Sequence, residues 1–266
     1  MFTLRLREQR LETDGSGYRG WRPVEREVSL RETETAVVIC DVWDRHWCRG
    51  AVERLESMLD RMCEAVSAAR EAGALIVHAP SDTMAAYAGS PARARALAAP
   101  AVEPPQDLPH ADPPLPVDAS DGGCDTDGNA AGPDRRVWTR QHPRLAIDEG
   151  RDAISDNGRE IYSLLRSRGI GHVLLMGVHT NMCILNRTFA IKQMVRWGVD
   201  IMLCRDLTDA MYNPALRPYV SHEEGTHLVI EHIEKFWCPT FASADLIGRA
   251  ADRARPGTGL VDVLGR

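Results

Sequence analysis

Three side chains in this 266-residue sequence are of the types that together perform acyl-transfer chemistry: Asp41, Arg140 and Cys183. Each lies at the end of a short apolar run. Asp41 closes TAVVICD, Arg140 stands near the end of RVWTRQ, and Cys183 follows HVLLMG after the polar turn VHTNM. A thiol is a useful nucleophile only when its proton can leave, and a nearby carboxylate can take it. Apolar residues recur at helical spacing over residues 184–197, so the sequence predicts a long helix whose first turn holds the sulfur. A helix N-terminus favours thiolate and offers unpaired N–H groups to an oxyanion, an arrangement worth on the order of 3 kcal/mol. Each residue also has a structural alternative. Free cysteine packs readily under a helix, an aspartate after a strand can cap or clamp a loop, and an arginine can serve only in an ion pair.

Around these three, Trp43, His46 and Trp47 follow the first apolar run directly and suit the wall of a small-molecule pocket. Val178, His179 and Asn181, in the turn before Cys183, complete the expected lining. His142 and His179 also flank the presumed crevice, where imidazole could carry a proton that a guanidinium cannot. Asp44, His46 and His78 are candidate metal ligands, but they do not make a tetrahedral set, and no metal or other cofactor is expected. The alternating acids of residues 118–129 lack the glutamate of a calcium loop at the twelfth position, where Asn129 stands, and read as a solvated turn. Asp206, Asp209 and Tyr212 mark a further crevice loop or a turn before Pro214.

These residues need a scaffold that brings strand ends together. Apolar runs at residues 35–41, 74–80, 136–141, 172–177 and 200–206, with a possible sixth near 239–242, alternate with helical patterns at 49–72, 154–168, 184–197 and 222–235. That alternation predicts an α/β fold: a three-layer, doubly wound, mostly parallel sheet of five or six strands with helices on both faces. Ligands of such sheets bind beyond the carboxyl ends of the strands, where Asp41, Arg140 and Cys183 all fall. Residues 1–34 carry two alternating stretches and read as a polar β-hairpin or edge extension. The main domain spans residues 35–250, interrupted by a Pro/Ala/Gly-rich insertion at about 88–134 with too few large apolar residues for its own core. Residues 251–266 form a C-terminal tail.

Composition narrows the class. Hydrophobic residues make up 44% and charged residues 26%, as in ordinary globular proteins. A net charge of −6 recommends neither nucleic acid nor an anionic membrane as partner. No apolar run approaches the length of a membrane helix, and the N-terminus has no apolar signal core. Seven dispersed cysteines, an odd number, suggest free thiols in a reducing, cytoplasmic compartment.

The run GVHTNMC resembles the signature of the isochorismatase-like cysteine hydrolases, which include nicotinamidases, carbamoylsarcosine amidases and isochorismatases. There a glycine ending a strand precedes the cysteine by six positions. VVICDVWD and VWTRQ extend the likeness over roughly residues 35–245. The resemblance implies that Asp41 is the general base and Cys183 the nucleophile, with Val178–His179 as a cis peptide beside the oxyanion site. It also implies a small-molecule substrate and assembly into homodimers or homotetramers. Arg140 stands where the family has a lysine, Asn181 where it commonly has an acid, and WDRHWC departs from the run typical of nicotinamidases. The expected activity is hydrolysis of a small amide or related carbon–nitrogen bond through a thioester. The alternatives are vinyl-ether hydrolysis, with Arg140 anchoring a substrate carboxylate, and a non-catalytic ligand-binding relative.

Overall fold

The computed structural model describes residues 1–127 and 136–253. One eight-stranded sheet, in the order β2-β1-β8-β7-β6-β3-β4-β5, runs through it. Six strands are parallel: β3 (Thr35–Cys40), β4 (Leu75–Ala79), β5 (Ala153–Ile154), β6 (His172–Val178), β7 (Asp200–Asp209) and β8 (Thr240–Phe241). The excess over five or six strands comes from the N-terminus. There β1 (Phe2–Thr13) and β2 (Arg19–Leu30) form an antiparallel hairpin, and β1 joins the sheet through Arg7 opposite Thr240.

The central strands are buried throughout because both faces are covered, as continuous β-branched runs require. On one face lie α1 (Arg49–Ala72) and α7 (Ala244–Arg253), packed through Leu55, Leu59, Met62, Val66 and Leu246. On the other lie α3 (Gly158–Ser167), α4 (Cys183–Asn186), α5 (Ile191–Arg196) and α6 (His222–Phe236), packed through Ile161, Leu165, Leu185, Met194, Val229 and Ile233. Local signals bound two of the helices: Gly73 ends α1 at φ 105°, and the Ser221 hydroxyl accepts from Glu224 N to start α6. Among the described residues no helix is long and apolar enough to cross a membrane.

Three expectations are corrected. Residues 136–141 are not a sheet strand. They run beside the loop after β3, where Trp138 stacks on Trp43 at 4.1 Å between ring centroids and Gln141 bridges to Trp43. The edge of β4 is taken instead by β5, so the helix expected from residue 154 begins only at Gly158, capped by Asn157. The helix expected over 184–197 is broken. Arg187 leaves the helical region at φ −62°, ψ 150°, and the chain resumes as α5 at Ile191. The break is held by α3: Gly158 N donates to Thr188 Oγ1 at 2.9 Å, and a Cβ on Gly158 would meet Thr188 O at 2.0 Å.

A further correction concerns the cysteines. Cys48 and Cys124 form a disulfide across 76 residues, leaving Cys40, Cys63, Cys183, Cys204 and Cys238 free. This removes the sequence argument for a reducing compartment. The bond fastens the Pro-rich arm to the body. The arm begins with α2 (Pro91–Leu97), crosses α3 by Val102 N to Ser163 Oγ, reaches α5 by Leu108 N to Arg196 O, and stacks His110 on Trp237. Residues 128–134 of the insertion, including Asn129 of the acidic run, and most of the 251–266 tail lie outside the described residues.

Gly177 shows how tightly the sheet sets the turn before Cys183. Its φ is 117°, and an added Cβ would fall 2.0 Å from Cys40 O on the neighbouring strand. Gly177→Ala should therefore lower the urea midpoint by an amount equivalent to at least about 2 kcal/mol. An unchanged midpoint would contradict this register.

Candidate active site

Asp41 leaves β3 in the left-handed region, at φ 52°, a conformation aspartate tolerates better than most residues. Its carboxylate is fully buried. Oδ1 accepts from Ser81 N at 2.7 Å, just beyond β4, and Oδ2 accepts from Arg187 Nε at 2.8 Å. The Cys183 thiol interacts with the same carboxylate. The partly exposed sulfur is thus joined to a buried acid, and the acid to a guanidinium on the far side of the helix break. The chain of charge continues outward: Arg187 lies 3.6 Å from Asp82, and Asp82 lies 3.3 Å from Arg136.

The protonation states follow from burial. Burial raises Asp41 above the usual carboxylate range, against the opposing pull of Arg187 and hydrogen bonds from Cys183 and Ser81. Burial and then the Asp41 charge push the Cys183 thiol well above its ordinary value, while Arg187 and the His179 N–H pull the other way. Burial thus opposes the charged form of both groups, and Arg187 favours it at both. A preformed thiolate favoured by a long helix is not what the chain builds, since α4 has only four residues. Cys183 is at its first position, where the N–H has no intrahelical partner.

The turn before the cysteine is held by a set of hydrogen bonds. The Val178–His179 peptide is cis. The Cys40 thiol donates to Val178 O at 3.7 Å, and His179 O accepts from Met182 N and Ile184 N. Asn181 is buried and clipped to Met211, donating from Nδ2 to Met211 O and accepting Met211 N, each at 2.8 Å. Its side chain is a structural clip. Thr180 N donates to Asp209 O at 2.9 Å. Asp209 in turn binds Arg54 and His222, which both also bind Asp125. Asp125 follows Cys124 of the disulfide, so the acidic run expected to be solvated instead braces the turn. Tyr212 is buried, its hydroxyl bonded to Leu216, Tyr219 and Val220, and Asp206 binds Ser243.

The expected lining residues divide. Asp41, Trp43, His46, Val178 and His179 border one narrow cavity together with Leu55 and His142. Trp43 donates from Nε1 to Ser81 O at 3.1 Å. His46 stacks on Trp138 and is held to about pKa 4 by burial; His179 is held to about 3 by burial and then by the nearby His46. Both imidazoles are neutral at pH 7, and His142 is bonded to Glu56. Trp47 instead packs beside the disulfide with Met182 and Met211.

Arg140 is not at the base. Its side chain is exposed, while its backbone N–H and carbonyl pair with Asp44, which also binds Thr139. The guanidinium at Asp41 belongs to Arg187, four residues after the cysteine. Asp44, His46 and His78 do not converge either. His46 Nδ1 accepts from Cys48 N, and His78 lies between Gln141 and Asp152. Among the described residues, Cys48, Cys124 and Asp125 do approach one another closely, but the two sulfurs are bonded together.

No family model and no curated protein matches the sequence. Solved structures do. A cysteine hydrolase from Pseudomonas syringae pv. phaseolicola 1448A is 16% identical, matches over 84% of this chain and 95% of its own, and superposes with a TM-score of 0.51. The fold is that of the isochorismatase-like cysteine hydrolases. An isochorismatase from Pseudomonas putida KT2440 is 12% identical over 82% of this chain and 92% of its own, with a TM-score of 0.48. An isochorismatase family protein from Desulfovibrio vulgaris is 14% identical over 82% and 98%, with a TM-score of 0.44. In this chain the guanidinium at Asp41 is drawn from the cysteine's own helix break.

Two opposing charges act on the sulfur, and they make opposite predictions. Asp41→Asn removes the carboxylate that raises the thiol and should speed iodoacetamide labelling of Cys183 at pH 8. Arg187→Ala removes the opposing cation and should slow it. In the wild type the rate should still be climbing above pH 9, the ordinary thiol value. A plateau below pH 8 would contradict the neutral resting thiol.

Proposed function

We propose that the protein is a cysteine-dependent hydrolase of a small carboxamide or related carbon–nitrogen bond, acting through a thioester on Cys183. The observation that carries this reading is the Cys183 thiol interacting electrostatically with the buried Asp41 carboxylate, whose hydrogen-bond partners include Arg187 and Ser81 N. As Sγ attacks the carbonyl carbon, its proton passes to Asp41. The oxygen of the tetrahedral intermediate gathers negative charge beside the N–H groups at the head of α4. Collapse breaks the C–N bond, and the leaving nitrogen takes the proton from Asp41. A water then attacks the thioester and gives its proton to Asp41. The acid product departs, and Asp41 returns the proton to sulfur.

Arg187 takes no part as an acid, because a guanidinium stays charged and its pKa is raised further by Asp41 and Cys183. Its role is electrostatic: it keeps Asp41 ionised although burial opposes the charge. Because Arg187 is engaged by two carboxylates and the two imidazoles are neutral, the site suits an uncharged substrate.

Against a panel of small primary carboxamides, Cys183→Ser and Asp41→Asn should each lose at least about a thousandfold in kcat/KM. Arg187→Ala should lose about a hundredfold, and Arg140→Ala should stay within about twofold. Loss at Arg140 with Arg187 dispensable would overturn the assignment. Asp41 must be ionised to act, so activity should be present above its raised pKa and fall as pH drops through it. Rapid acid quenching and intact-mass measurement should show the acyl group on Cys183.

A further inference from the structure

The cavity beside Asp41 is bordered by two polar rings whose hydrogen bonding is not spent. Among the other polar side chains around it, Asp41, Trp43, Asp44, Glu56 and His142 already have partners. Arg45 is exposed. His46 and His179 remain, with ring centroids 4.8 Å apart and planes tilted by 60°. His46 Nδ1 accepts from Cys48 N at 3.1 Å. In the neutral ring the one hydrogen then lies on Nε2, a donor with no partner among the described residues. His179 is 3% exposed, and neither of its ring nitrogens has a hydrogen-bond partner among the described residues. Those nitrogens are not sealed in packing, as the unpartnered Nε2 of His232 is; they keep some surface, and the ring borders the cavity. Burying an imidazole with both nitrogens idle is costly, and a leucine would line the cavity without that cost.

We infer that the substrate is a short-chain diamide, one carboxamide cleaved at Cys183 and the other held between His46 and His179. This deepens the amide reading above and rests on it. The recognised group must be uncharged, because two neutral imidazoles do not compensate a charge taken out of water. It must also donate and accept from adjacent atoms, since a hydroxyl offers one oxygen to two separate rings. A carboxamide meets both conditions. Its oxygen accepts from His46 Nε2–H, and its N–H donates to the unprotonated ring nitrogen of His179. His179 also acts on the Cys183 sulfur through its backbone N–H, so both ends of a short diamide are held at once. Neither imidazole gains or loses a proton in the reaction.

Malonamide, succinamide and glutaramide test this, each against the monoamide in which isopropyl replaces the far carboxamide, read by ammonia release. With the wild type, one or more of the diamides should exceed its isopropyl counterpart at least about tenfold in kcat/KM. His179→Leu should bring that ratio to about one or below. His179→Gln, which keeps a neutral donor and acceptor, should retain most of it. Because each ratio is taken within one protein, a general loss of activity does not imitate the effect. Monoamides turned over by the wild type as fast as the diamides would overturn this inference while leaving the amide reading intact. An undiminished diamide preference in His179→Leu would do the same. Intact-mass measurement showing no acyl group on Cys183 from either series would overturn the amide reading, and this inference with it.

Discussion

A carboxylate with no exposure to water is the constraint to which the rest of the site answers. Asp41 would rather be neutral there, and a neutral acid cannot accept a proton from sulfur. Arg187 and Ser81 compensate from two directions, and the Cys183 thiol also acts on the carboxylate. Removing one partner of such a buried pair is typically more damaging than never having built it. The surrounding architecture reads as a set of devices for holding those partners in place. The positive φ of Asp41 aims the carboxylate, β4 delivers Ser81, and the break between α4 and α5 lets Arg187 reach back past the sulfur.

That break explains a compromise in the fold. An unbroken helix after Cys183 would follow the apolar pattern of residues 184–197 more fully and present a stronger dipole. The chain interrupts it, pins Thr188 against Gly158, and obtains a fixed cation instead. The turn on the other side of the sulfur is braced from further away. The disulfide fastens the arm over Met182 and Met211, Asp125 reaches Arg54 and His222, and both of these hold Asp209, whose carbonyl receives Thr180 N. A position at the strand ends is thereby supported by residues spread along the chain from Arg54 to His222.

Much of this was legible from residue order. The buried strands announce themselves as β-branched runs, and Asp41 and Cys183 stand at strand ends where the crevice of a parallel sheet must lie. Gly73 and Ser221 cap α1 and α6, as a glycine just past a helix end and a serine just before one commonly do. Arg140 misled because RVWTRQ alternates like a strand, but its alternation serves Trp138 on Trp43 and Gln141 against His78. Arg187 had a usable signal: four residues after Cys183 on a predicted helix, it was due on the sulfur's own face. What sequence could not show is that the helix ends there and the side chain turns toward Asp41. The Cys48–Cys124 bond was hidden for another reason, since it depends on where a long arm returns to the body, and no local pattern encodes that.

The central claim is a neutral thiol resting against an ionised Asp41 that Arg187 keeps charged. Ultraviolet thiolate absorbance, taken as the difference between wild type and Cys183→Ser across a pH titration, tests it most directly. The account predicts no Cys183 thiolate at neutral pH in the wild type and its appearance at lower pH once Asp41 is replaced by asparagine. A full thiolate signal at pH 7 that is indifferent to Asp41 would contradict it.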